Sequence, residues 1–283
     1  MLVNLSKITE ERDDHLMTPL TQFTIEIHDA NHTVLAATSD QGQAQLVYHQ
    51  PYQEGDQIVV KSEHPNQYVM LQLDDTMPET FVYLATTCYR LTIPFGEKKI
   101  SYNPKSYSGD IHALSVRLAT EAEISSYKNV ALNPFDQHEN DSCYPHAIAN
   151  VETRGESVFA ARNAINGNCF NAGHGAWPFE SWGINQQDDA EMSVQFGRTV
   201  EIDCIALTLR ADFPHDNYWE QVTVCFSNGD CETIHLTKTH AKQVFKLTPR
   251  QVESLTVKNL IKSDDPSPFP ALTQIEAYGY EVK

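Results

Sequence analysis

Residues 22–30 read QFTIEIHDA, with apolar and polar side chains alternating. A period of two fits a strand with one buried face, not a helix. The same signature returns at 43–50 (QAQLVYHQ), 56–63 (DQIVVKSE), 68–75 (YVMLQLDD), 80–87 (TFVYLATT), 89–96 (YRLTIPFG) and 112–119 (HALSVRLA). These runs are short, rich in β-branched and aromatic residues, and punctuated by Gly, Pro, Asn and Asp. That spacing predicts a sandwich or barrel. QLDDTMPETFVYL (72–84) reads as two strands joined by a turn around Asp75 and Pro78. The one clear helix signal is TEAEISSYKN (120–129), with Thr120 as N-cap and Glu123 completing a capping box.

Strand patterns resume at AEMSVQFG (190–197), DCIALTLR (203–210), EQVTVCFSNG (220–229), CETIHLT (231–237), QVFKLT (243–248), SLTVKNLI (254–261) and LTQIEAYGY (272–280). The change of texture after the helix signal places a domain boundary near Lys128. The expected fold class is therefore all-β, with two antiparallel β-sandwich domains, 1–128 and 129–283. The boundary carries no Gly/Ser linker, so the two domains are expected to pack against each other.

With 283 residues and 41% hydrophobic side chains, the chain can build sizeable cores. Its net charge is −18, and the acidity is spread: residues 1–128 hold 9 basic and 17 acidic side chains, residues 129–283 hold 11 and 21. Such a surface repels phosphate backbones, so nucleic acid is not an expected partner. No apolar run is long enough for a membrane span. The first residues, MLVNLSKITEERDDHL, contain no apolar core of signal-peptide length, so a cytoplasmic chain is expected. None of the six cysteines falls in a CxxC or zinc-ligand spacing. Asn228-Gly229 reads as a two-residue hairpin turn. That register would put Cys225 and Cys231 on opposite faces of the ribbon, so reduced cysteines are expected.

There is no GxSxG, HExxH, GxxxxGK[ST] or GxGxxG signature. The unusual residues gather in three loop-like stretches: NAINGNCFNAGHGAWPFESWGIN (163–185), LRADFPHDNYWEQ (209–221) and LIKSDDPSPFPALTQ (260–274). An aromatic ring beside charged and amide groups is what sugar recognition needs, one face stacking while hydroxyls form hydrogen bonds. The candidate ligand-binding residues are His174, Trp177, Glu180, Trp182, Arg210, Asp212 and His215. Trp177 has the setting of an exposed loop aromatic, whereas Trp182 fits core or ligand site equally. Trp219 begins an apolar strand and reads as core. Arg210 and Asp212 also fit a structural ion pair. The prolines at 266, 268 and 270 read as structural stiffening.

At these residues a family resemblance appears. NVALN (129–133), FAARNAINGN (159–168), MSVQFGRTVEIDCIAL (192–207), VTVCFSNGD (222–230) and QIEAYGY (274–280) resemble, in order and spacing, the landmarks of the discoidin-like, galactose-binding β-sandwich domain. Many bacterial carbohydrate-binding modules share that domain. The first 128 residues resemble, less closely, the accessory jelly-roll domains found beside carbohydrate-active enzymes. The resemblance implies ligand loops gathered at one end of the sandwich. It also implies, in many relatives, a structural calcium beside an A-x-D-G turn. Here Asn166, Asn168 and Gln274 stand at the positions that would supply acids. Calcium affinity rises with carboxylate count, so no cofactor is expected.

The leading reading is a non-catalytic protein that binds a neutral or weakly charged glycan through the C-terminal loops. The rival is a carbohydrate hydrolase or esterase component using Asp212, Asp216 or Glu180 with His215. A protein-interaction module is the third possibility.

Overall fold

The computed structural model describes residues 21–282. The charged N-terminal stretch used above for the signal-peptide reading lies outside the described residues. The first half builds β1 (Gln22–His28), β2 (Val34–Gln41), β3 (Gln43–Tyr48), β4 (Gln57–Ser62), β5 (Gln67–Gln72), β6 (Thr80–Leu84), β7 (Cys88–Thr92) and β8 (His112–Leu118). Helix α1 (Glu121–Ser125) follows, and the Thr120/Glu123 capping box forms. The second half builds β9 (Lys128–Asn129), β10 (Cys143–Tyr144), β11 (His146–Ala149), β12 (Trp182–Gly183), β13 (Met192–Leu209), β14 (Trp219–Phe226), β15 (Cys231–His235), β16 (Gln243–Lys262) and β17 (Ala271–Glu281).

The alternation in QFTIEIH decides which layer each side chain enters. Phe23, Ile25 and Ile27 are wholly buried between a four-stranded sheet (β2-β1-β4-β7) and a five-stranded one (β10-β6-β5-β8-β3). All pairings are antiparallel. The sheet contains a strand from beyond Lys128: β10 pairs with β6, Cys143 opposite Leu84. Cys143 and Phe135, each 0% exposed, belong to this first core, whereas Val130 and Ala131 belong to the second. The chain thus enters the second sandwich, returns to the first over 133–144, and goes back.

Asn133 holds that excursion in shape. Its side chain donates to the carbonyls of Cys143 and Pro145 and accepts from Phe135 N–H. Tyr89 Oη donates to the Phe135 carbonyl at 2.5 Å. Gly197, at φ 68°, leaves room for the Tyr144 ring, which a Cβ there would meet at 2.4 Å.

In the second half β13 and β16 are the long central strands of one continuous eight-stranded sheet that folds over its own core in two layers. Met192–Gln195 pairs with β11 and with residues 254–257 of β16; Val200–Leu209 pairs with residues 243–252 of β16 and with β17. Pairing lapses between Gln195 and Val200, the kind of irregularity at which a strand turns from one layer to the other. β14 and β15 extend the first layer, and β9 and β12 flank β17 in the second. The core between them includes Phe196, Ile205, Leu255, Ile275 and both Trp182 and Trp219.

One hairpin differs from expectation. Phe226 N–H donates to Asp230 and Gly229 N–H to Phe226, closing a three-residue loop with Gly229 at φ 93°. The extra loop residue slips the register by one, so Cys225 faces Cys231 on the same side of the ribbon. The two form a disulfide, correcting the expectation of reduced cysteines at this pair. Thiol titration of the unfolded, unreduced protein should therefore find four free thiols, those of Cys88, Cys143, Cys169 and Cys204. Six would contradict the bridge.

Candidate functional site

The three loop stretches singled out above converge at one end of the second sandwich, around an open cleft of about 570 Å³. His174 comes from the first, Pro214 and His215 from the second, Pro268 and Phe269 from the third. Phe159 and Arg154 close another side, and the amides of Asn185, Gln186 and Gln187 flank the opening.

His215 sits among rings. Its centroid lies 5.7 Å from Phe159, 5.9 Å from Phe269 and 5.3 Å from His174. Nδ1 lies 3.0 Å from the Phe269 carbonyl, which can only accept, so Nδ1 carries the proton and Nε2 is the acceptor. Burial and the nearby Arg210 charge hold the His215 pKa below the usual imidazole value, so the ring is neutral at pH 7. His174 points Nδ1 at Asp212 Oδ2 (3.1 Å), and its side chain is half exposed. Among the described residues no protein group takes the Nε2 of either ring.

Arg210 fixes this arrangement from below. It is 2% exposed and serves four loop positions. It bonds Asp212 Oδ1 at 2.6 Å, the Gly173 carbonyl at 2.8 Å, the Phe179 carbonyl, and Ser181 Oγ at 3.4 Å. Burial lowers its pKa, opposed by Asp212. Arg210 and Asp212 are thus the structural ion pair that the sequence left open, stapling the first loop to the second and aiming His174.

The other candidates are placed differently. Trp182 is 0% exposed in the core, with Nε1 donating to the Val151 carbonyl at 2.9 Å, so it offers no face to a ligand. Trp219 is 1% exposed, as its apolar strand implied, and forms part of the cleft floor. Glu180 is buried, accepting from Phe179 N–H and from the side chains of Asn166 and Asn168. Trp177 is half-buried in its loop and does not line the cleft. Asp216 lines a second, smaller cleft of about 360 Å³ and faces Lys238 at 3.6 Å.

Phe269 was the missed residue. Three prolines around it suggested stiffening alone, yet the ring is 38% exposed at the cleft. An exposed aromatic held between Pro268 and Pro270 was the available signal.

At the turn where the resemblance implies calcium, Gln274 is 1% exposed and occupies the centre. Its Nε2 donates to the Asn163 carbonyl at 2.5 Å and to Asn166 Oδ1 at 2.8 Å, and its Oε1 accepts from Gly167 N–H at 3.0 Å. An amide donor stands against oxygens that a cation would need, so these residues do not fit calcium.

No protein-family model matches the chain, and no curated protein matches it. Solved structures do, over about half of the chain. The chitosan-binding module 1 of a Paenibacillus sp. IK-5 chitosanase/glucanase is 18% identical, with TM-score 0.38, over 53% of this chain and 98% of the module. The family 32 carbohydrate-binding module of C. perfringens NanJ, solved with galactose, is 16% identical with TM-score 0.39, over 54% and 99%. The lectin domain of lectinolysin, solved with Lewis B antigen, is 16% identical with TM-score 0.40, over 55% and 98%.

Proposed function

We propose that the protein binds carbohydrate, and that its ligand is a neutral glycan held in the cleft at the loop end of the second sandwich. One observation carries this reading: the Phe269 ring lies 5.9 Å from His215 in an open cleft that His174 also lines, amides flank the opening, and among the described residues no protein group takes either Nε2. A sugar ring has an apolar face that stacks on Phe269 and hydroxyls that donate to His174 and His215. The residues that act are Phe269, His174 and His215, with Arg210 and Asp212 as positioning groups. Trp177, outside the cleft lining, is available only to a ligand longer than one sugar.

The hydrolase reading finds less support. Glycoside hydrolysis needs two carboxyl groups within about 5–10 Å across the scissile bond. Among the described residues lining the cleft, Asp188 is the only carboxylate. Asp212 and Glu180 are occupied by the bonds described above.

The test is a glycan array, followed by calorimetry with galactose, fucose and N-acetylglucosamine. Binding to at least one neutral glycan is expected; no binding across the array would overturn the reading. We propose also that no calcium is needed. Millimolar calcium or a chelator should leave the melting temperature within about 1 °C, because a tight site would stabilise by RT ln(1 + [L]/Kd). A rise of several degrees with calcium would contradict this.

A further inference from the structure

The wall of the cleft that carries Arg154 and Phe159 is not itself a strand; on one side it packs on Gly183 of β12. It is formed by successive 3-10 turns, Thr153–Gly155 and Ser157–Phe159. Short 3-10 turns leave backbone groups without internal partners, so something else must fix them. On the cleft side, Asn185 N–H donates to Thr153 Oγ1 and Ser181 N–H to the Val158 carbonyl. Ser157 itself is held from two directions: Asn163 Nδ2 donates to its carbonyl at 2.8 Å, and its N–H and hydroxyl turn to the first sandwich. Ser157 N–H donates to Glu97 Oε1 at 2.7 Å, and Ser157 Oγ donates to the Glu97 carbonyl at 2.8 Å. Glu97 lies on the 3-10 turn Gly96–Ser101, sixty residues away in sequence. The same turn receives Arg162 on Ser101 Oγ at 3.2 Å, and the Arg162 guanidinium lies over the Tyr102 ring at 4.2 Å.

We infer that Glu97 is a positioning residue for the cleft: through Ser157 the first sandwich holds the Phe159 wall against His215. Phe159 is two residues beyond the tethered Ser157, and its ring is one of the three that surround His215. The carboxylate accepts a charge-assisted bond from the peptide N–H, and the Ser157 hydroxyl bonds the Glu97 backbone, so two bonds set both position and orientation. This gives the first sandwich a part in ligand recognition without its touching the ligand. The consequence for binding rests on the glycan reading; the tether itself does not.

The experiment compares full-length wild type, Glu97→Ala and Glu97→Gln. Glu97→Ala removes the side-chain acceptor, while Glu97→Gln keeps an Oε1 in the same place. In Glu97→Ala the Ser157 amide should exchange with deuterium at least about tenfold faster, as a lost local hydrogen bond implies. The His215 ring resonances should shift as Phe159 moves. Affinity for whichever of galactose, fucose or N-acetylglucosamine the wild type binds should fall roughly 2- to 12-fold, the effect of one net hydrogen bond. The melting temperature should change little, and Glu97→Gln should restore all three readouts. Unchanged Ser157 exchange and unchanged His215 resonances in Glu97→Ala would overturn the tether. A moved wall with unchanged affinity would overturn its role in binding. If the wild type binds none of the sugars, the glycan reading fails, while exchange and resonances still decide the tether.

Discussion

Phe135→Ala should destabilise the protein by about 3–5 kcal/mol, the cost of truncating a buried Phe. The loss should appear in the first sandwich, although Phe135 lies past the helix that separates the two strand sets. Phe135 is 0% exposed in the first core, and its carbonyl is the acceptor for Tyr89 Oη. Burial there raises the Tyr89 pKa well above its usual value, as expected of a hydroxyl that has exchanged water for one carbonyl. A cavity at Phe135 loosens that partner as well as the packing. At roughly 2–4 °C per kcal/mol, the melting temperature should fall by about 6–20 °C. Amide exchange should rise first in β4, β6 and β7. A melt within 2 °C of wild type would show that the 133–144 excursion is dispensable to the first sandwich.

Arg210→Ala should have an effect of similar size for a different reason. It leaves Asp212, whose side chain is 6% exposed, with a buried charge and, among the described residues, only His174 beside it. Breaking a buried pair by removing one partner costs about 3–5 kcal/mol. The Gly173 and Phe179 carbonyls lose a donor at the same time. Arg210→Lys should recover little, because an ammonium cannot reproduce the planar fork that reaches several loops at once. Replacing both partners, Arg210→Met with Asp212→Leu, should recover much of the stability, since it leaves no unpaired charge. It should not recover ligand binding, because His174 loses the carboxylate that aims it. Calorimetric melts of the four proteins decide this, and a single-variant loss below about 1 kcal/mol would contradict it.

The strands were legible because alternation is local: QFTIEIH buries Phe23, Ile25 and Ile27 as its pattern requires. The capping box at Thr120 and Glu123 was legible for the same reason. What escaped depends on contacts between distant segments. A two-residue strand such as Cys143–Tyr144 has no period to read, and Phe135 stands in NPFDQ without an apolar neighbour pattern. The Cys225–Cys231 bridge turned on a single residue of loop length, which reverses the facing of every side chain beyond it. Of the candidate site, Arg210, Asp212, His174 and His215 do meet, and Trp182 does not join them because its ring fills the core beside Trp219. Phe269 was hidden by its prolines: stiffness and display are the same feature there, and its place at the cleft is visible only where the three loops converge.

A glycan lying on Phe269 in the cleft of the second sandwich is the proposed binding mode. Its most direct measurement is the calorimetric affinity of wild type and Phe269→Ala for the same neutral sugar, with a melting curve for each. Phe269 is 38% exposed, so its removal should leave the melting temperature nearly unchanged. A stacked ring contributes on the order of 1–3 kcal/mol in base–aromatic contacts. On that scale the affinity should fall about 5- to 150-fold. Trp177→Ala, outside the cleft lining, should lose less. An unchanged affinity in Phe269→Ala, with the loss appearing instead in Trp177→Ala, would place the ligand elsewhere and contradict the account.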